Sequence, residues 1–175
     1  LNLKDFTIPH GMIAQGTATI EGTRYSYDGI IRQNRGLLQM KGAYDTQNDS
    51  YLADLHLDSL NINDFMPKDS IYYFSGDVAA EGRGLDFYSP HTLANLQAQI
   101  RQLQYGEHNF IGIGADVQLA ENQLTGNINS DNKYLLLDGK IDGLLLKDTI
   151  SARMNVDVHR LDMRQLAIAR DSMTW

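Results

Sequence analysis

With 175 residues, 42% of them apolar, the chain is long enough to fill a sizeable core. A net charge of −7 and only 21% charged residues leave no basic stripe to neutralise phosphates, which argues against nucleic acid as a partner. Cysteine is absent, which excludes disulfides, thiolate chemistry and cysteine zinc sites. The longest apolar runs, such as Leu135 to Leu137 and Leu144 to Leu146, fall far short of the ~20 residues a membrane helix needs.

Leu1 is preceded by no initiator Met, basic region or apolar leader, so the sequence reads as an excerpt of a longer polypeptide. Period-2 alternation then dominates, the mark of strands with one face apolar and the other polar. Strands are expected near 12–21, 23–32, 36–44, 50–58, 71–81, 84–89, 95–104, 109–119, 122–129, 134–142 and 149–158. Turn formers separate them, among them Glu21-Gly22, Asn34-Arg35-Gly36, Asp45 to Asp49 and Glu121-Asn122. That spacing suits antiparallel strands on tight loops and leaves no room for helical crossovers. Helix is expected only as short pieces around Asn63–Lys68, Arg164–Arg170 and Pro90–Leu96. All three prolines stand outside the strongly alternating runs.

An internal repeat is the most specific feature. Leu1-Asn2-Leu3-Lys4-Asp5-Phe6 recurs as Leu60-Asn61-Ile62-Asn63-Asp64-Phe65 and, more loosely, as Leu161-Asp162-Met163-Arg164-Gln165-Leu166. Gly16 to Gly22 matches Gly76 to Gly82. Leu55, Leu57 and Leu60 map onto Val156, Val158 and Leu161 at one offset, 156 − 55 = 101, and Met40 maps onto Ile141 at the same offset. The expected units are therefore 1–59, an expanded 60–160, and the opening of a third at 161–175. Units of this kind stack, giving an all-β fold of antiparallel strands in a curved, repeat-built trough or elongated open sandwich with short helical linkers. A gene-duplicated, closed β-sandwich is the competing architecture.

The phrase Leu57 to Pro67, followed by Ser75-Gly76-Asp77-Val78 and Gly82 to Gly84, resembles the linker that recurs in TamB and related AsmA-like envelope proteins. Gln102 to Gly106, Leu124 to Ile128, and Ser130 to Asn132 leading into Tyr134 to Leu137 resemble the same family. The resemblance covers most of residues 50–167. It implies a periplasmic trough with an apolar lining, an inner-membrane anchor elsewhere in the full-length chain, and an outer-membrane barrel partner of the TamA type reached through other parts of it. It also implies outer-membrane biogenesis, by carrying phospholipid between membranes or by assisting outer-membrane protein assembly.

Catalytic constellations are not evident, and no enzyme activity or cofactor is expected. The five histidines are scattered. Asp54-x-His56-x-Asp58 shares one strand face, and Asp-x-His recurs at Asp157-x-His159; a duplicated polar face explains this without a metal, which needs three or four converging ligands. Gly112-x-Gly114 lacks the following helix of a phosphate loop. The repeated Glu-Gly at Glu21 and Glu81 needs only turn chemistry. Nine tyrosines could stack sugars, although tyrosine at strand edges is ordinary. The candidate lining of an apolar groove for phospholipid acyl chains is Leu55, Leu57, Ile111, Ile113, Val117, Leu119, Ile150, Met154, Val156 and Val158. A β-sandwich module binding carbohydrate or protein is the alternative, and the two part on whether the apolar face lies open or is closed by a second sheet.

Overall fold

The computed structural model describes residues 7–68, 70–147 and 149–162, without the side chains of Thr149, Ile150 and Ala152. The phrase at Leu1–Phe6, most of its third copy and the helical piece expected at 164–170 lie outside the described residues. What is described is all-β, 72% strand, in one open antiparallel sheet.

The strands are β1 (Ile13–Glu21), β2 (Arg24–Gln33), β3 (Gly36–Asp45), β4 (Ser50–Asn61), β5 (Ile71–Arg83), β6 (Leu93–Tyr105), β7 (His108–Phe110), β8 (Ile113–Ala120), β9 (Gln123–Asp131), β10 (Leu135–Leu146) and β11 (Thr149–Leu161). Each pairs with its neighbour in chain order, except that β6 pairs with both the short β7 and β8. The connections are tight because the turn residues accept left-handed backbone. Glu121 and Asn122 both have positive φ (51° and 63°), the geometry of a type I′ hairpin.

Two expected strand assignments differ from the observed fold. Residues 84–89 form a loop: Asp86 accepts from the Tyr88 amide through Oδ1 and from the Ser89 amide through its carbonyl, closing a turn that alternation alone does not reveal. The run 109–119 is two strands that both pair antiparallel with β6 and run the same way, because the ladder is interrupted at Ile111 and Gly112, where Gly112 takes φ 69°. The helix expected at 63–68 is a single 3-10 turn, Ile62–Asp64, and the piece expected at 90–96 is already β6 from Leu93 onward.

The boundary expected between residues 59 and 60 falls inside β4. There Ser59 takes φ 50° in a bulge, its amide donates to Ser75 Oγ at 2.8 Å, and the pairing with β5 slips between Leu57 and Leu60. Beyond the bulge the chain turns back, burying Leu60 and Phe65 beside Leu57. Met12, Ile31, Leu38, Leu55, Ile62, Met66 and Phe74 pack around them. This small core lies at one rim of the sheet, where Thr7 donates to the Phe65 carbonyl and the Gln33 amide donates to Asp64.

Candidate functional site

Residues paired across an antiparallel ladder share a face, so the register identifies each face directly. One row across the sheet reads Ala18, Tyr27, Gly42, Ala53, Ala80, Leu96, Val117, Gly126, Ile141, Met154. The next reads Gly16, Gly29, Met40, Leu55, Val78, Ala98, Ala115, Ile128, Gly139, Val156. Neither row contains a charge or an amide. Ten strands at ~4.8 Å make this apolar face roughly 43 Å long. The opposite face carries Asp28, Lys41, Asp54, Gln97, Asp116, Asn127, Lys140 and Asn155.

Of the candidate lining, Leu55, Leu57, Ile113, Val117, Leu119, Met154, Val156 and Val158 stand on the apolar face by register. Ile111 does not join them: it sits in the link between β7 and β8. Ile150 pairs with Leu145, but its side chain lies outside the described residues. Nor is the face uniform. Leu57 is 8% exposed in the rim core and Leu119 is 4% exposed at the opposite rim, whereas Met154 is 62% and Val158 52% exposed. The outermost strands are thus open, the middle strands mostly half-buried, and parts of both rims covered. Among the described residues no second sheet faces the apolar side.

The candidate lining comes from three strongly alternating runs, so it leaves out row members on the other strands, such as Tyr27, Met40, Val78, Leu96, Ile128 and Ile141, and the glycines and alanines between them. Here they are members of the apolar face. Gly42 lies beneath the Tyr27 ring, and Gly82 sits against Tyr51 with the Leu93 carbonyl of β6 close by, so neither position has room for a Cβ. Tyr25, Tyr27, Tyr44 and Tyr51 belong to the apolar face, where Tyr25–Tyr44 and Tyr44–Tyr51 are direct cross-strand pairs.

Two depressions lie on the polar side. One of about 820 Å³ is lined by Asp54, Glu81, Gln97, Asp116, Asn127 and Lys140 among others. A second, of about 530 Å³, contains His56 and Asp77. There His56 Nδ1 meets Asp77 Oδ1 at 2.5 Å, and Arg101 holds the other oxygen while also donating to the Leu57 carbonyl at 2.9 Å. The His56 hydrogen bond, aided by the Arg101 charge, holds the Asp77 carboxyl below its ordinary value. The Asp54-x-His56-x-Asp58 run therefore contributes His56 to a cross-strand network with Asp77 and Arg101. Among the described residues no group of three or more His, Asp or Glu is placed to hold a metal ion, and no helix is long and apolar enough to cross a membrane. Compared with family models, curated proteins and solved structures, the chain matches none.

Proposed function

We propose that this chain is a periplasmic segment of a TamB/AsmA-like protein of outer-membrane biogenesis, whose apolar face carries phospholipid acyl chains between membranes. The full-length protein would be anchored in the inner membrane and would meet its outer-membrane barrel partner through other segments. The observation that carries this reading is the apolar face running across ten strands with no facing layer among the described residues. A folded chain that leaves so much apolar area in water gains by covering it. An acyl chain of ~14 carbons fully buried there would gain about 11 kcal/mol at ~0.8 kcal/mol per methylene, with no polar recognition required. The rows consist of apolar side chains and glycine apart from the Tyr27 hydroxyl, so an acyl chain passing from strand to strand meets no charged group on them. The phrases shared with the family support the same reading.

Photo-crosslinking groups at Ile113 and Met154 of the full-length protein in cells test it. Phospholipid adducts are expected at both sites and not at the polar-face positions Gln118 and Arg153. Adducts to unfolded outer-membrane proteins alone would favour a role in their assembly. Identical behaviour of all four probes would end the conduit reading.

A further inference from the structure

Among the described residues two long strands have a single neighbour: β1 pairs with β2 alone and β11 with β10 alone. The repeat shows what each edge lacks. β11 stands where β4 stands in its unit, since Leu55 and Leu57 map onto Val156 and Val158, and β10 stands where β3 stands, since Met40 maps onto Ile141. β1 stands where β5 stands, since Gly16 to Gly22 match Gly76 to Gly82, and β2 follows β1 as β6 follows β5. Within the sheet β4 lies between β3 and β5, and β5 between β4 and β6. The open side of β11 is therefore the side on which β4 holds β5, and the open side of β1 is the side on which β5 holds β4. The two edges are complementary halves of a junction that the sheet already contains.

Direction and face agree with this. Ten strands alternate along the ladder, so β11 runs opposite to β1, and a second copy set beyond β11 in the same orientation presents its β1 antiparallel to that edge. Carrying over the β4–β5 register, in which Ala53 faces Ala80, Leu55 faces Val78 and Leu57 faces Gly76, sets Met154 against Ile20, Val156 against Ala18 and Val158 against Gly16. All six belong to the apolar face. Ile20 is 67% exposed and Met154 62%, and each would cover the other. On the polar face the same register sets Arg153 against Glu21, both exposed, and Asn155 against Thr19, so opposite charges meet and like charges do not. No turn joins two copies, so the short connection that slides β10 against β11 has no counterpart here, and side-chain pairing sets the register.

We infer that the β11 edge receives a second copy of this chain: β1 of one copy adds to β11 of another, with Ile20 opposite Met154 and Glu21 opposite Arg153. The contact is head-to-tail, so it repeats along a row of copies instead of closing a two-fold dimer. The apolar face then continues from copy to copy, whatever it carries.

Cysteine is absent from the chain, so introduced thiols report the pairing without background. The 175-residue chain carrying Ile20→Cys would be mixed, under mild oxidation, with a chain of different tag length carrying Met154→Cys. A mixed disulfide is expected, about tenfold above the product of either chain alone, because only this pair comes within disulfide reach. Thr19→Cys in place of Ile20→Cys should lose about tenfold of that product, since a one-residue step turns the thiol to the other face. Adding Glu21→Arg to the first chain should lower the mixed product about threefold to tenfold, and adding Arg153→Glu to the second should restore it. Melting curves check that each variant keeps the fold; where a charge reversal lowers them, the cysteine pairs alone decide. Sedimentation of the native chain should show a mass that rises with concentration past the dimer. Absence of the mixed product overturns the inference, as does equal product from Thr19→Cys. A disulfide of Met154→Cys with itself that exceeds the mixed one would mean that β11 pairs with β11, and a mass that stops at the dimer would mean a closed two-fold contact; either overturns it as well.

Discussion

Phe65 carries more of the stability than its place in a turn suggests. It is buried beside Leu57 and Leu60 in the only described cluster of buried apolar side chains, so Phe65→Ala should cost about 3–5 kcal/mol, read from denaturant melts. A change within ~0.5 kcal/mol would show that the linker merely rests on the sheet. Gly82→Ala is expected to destabilise by about 1–3 kcal/mol, because the added methyl meets the β6 backbone carbonyl of Leu93 as well as the Tyr51 ring. At Asp77 the folded-state pKa is depressed, so its stabilisation is present above the ordinary value of 3.8 and is lost as pH falls through the folded value. The side chain is 50% exposed, so the increment is small. The stability gap between the native chain and Asp77→Asn should therefore be larger at pH 7 than at pH 3 in urea melts. The repeated phrase predicts Leu60, Ile62 and Phe65 turned inward and Asn61 and Asn63 outward; Leu60 and Phe65 are buried and Ile62 packs against them. Asn61 and Asn63, expected to face outward, are half-buried, because the chain leaves strand geometry at Ile62 and the period-2 rule stops applying. There the Asn61 amide donates to Asp64 at 2.9 Å.

Elements were the most legible level, since nearly every expected strand lies within a few residues of an observed one. The strand pairing of β10 with β11 does not follow the sequence repeat. At the offset of 101, the Met40–Leu55 pair predicts Ile141 opposite Val156, but Ile141 faces Met154 and Val156 faces Gly139. The cause is the turn: residues 46–49 separate β3 from β4, whereas only 147–148 separate β10 from β11. Tightening the turn slides the ladder by two residues, an even step that keeps every side chain on its original face. Equivalent positions nonetheless differ in surroundings. Leu55 packs against the Phe65 cluster, whereas Val156 is 39% exposed. Leu55→Ala should thus cost about 2 kcal/mol or more, and Val156→Ala less than about 1 kcal/mol, in parallel thermal melts. Equal costs would mean that the outer hairpin is covered as fully as the inner one.

At the scale of the whole molecule, the described strands meet only their ladder neighbours, apart from the linker and the 84–92 loop. Stability in such a sheet is approximately a chain of nearest-neighbour terms, as in repeat proteins, and need not be uniform. β3, β4 and β5 carry the buried cluster through Leu38, Leu57, Leu60 and Phe74, whereas β1 is exposed along its whole length and β11 wherever its side chains are described. Both outer strands also present a free edge among the described residues. Alternation announced strands and an apolar face; it could not say which strands hold the others, because that depends on where the linker folds back. Native-state hydrogen exchange should resolve the gradient. Amides of β3 to β5 are expected to exchange slowest, those pairing β1 to β2 and β10 to β11 fastest. Phe65→Ala should then speed exchange in β3 to β5 while leaving the β8–β9 ladder, which that cluster does not touch, close to its original rate. If all strands exchange together and respond equally to Phe65→Ala, the sheet is one cooperative unit, and coupling must run through the continuous backbone ladder rather than through the rim core.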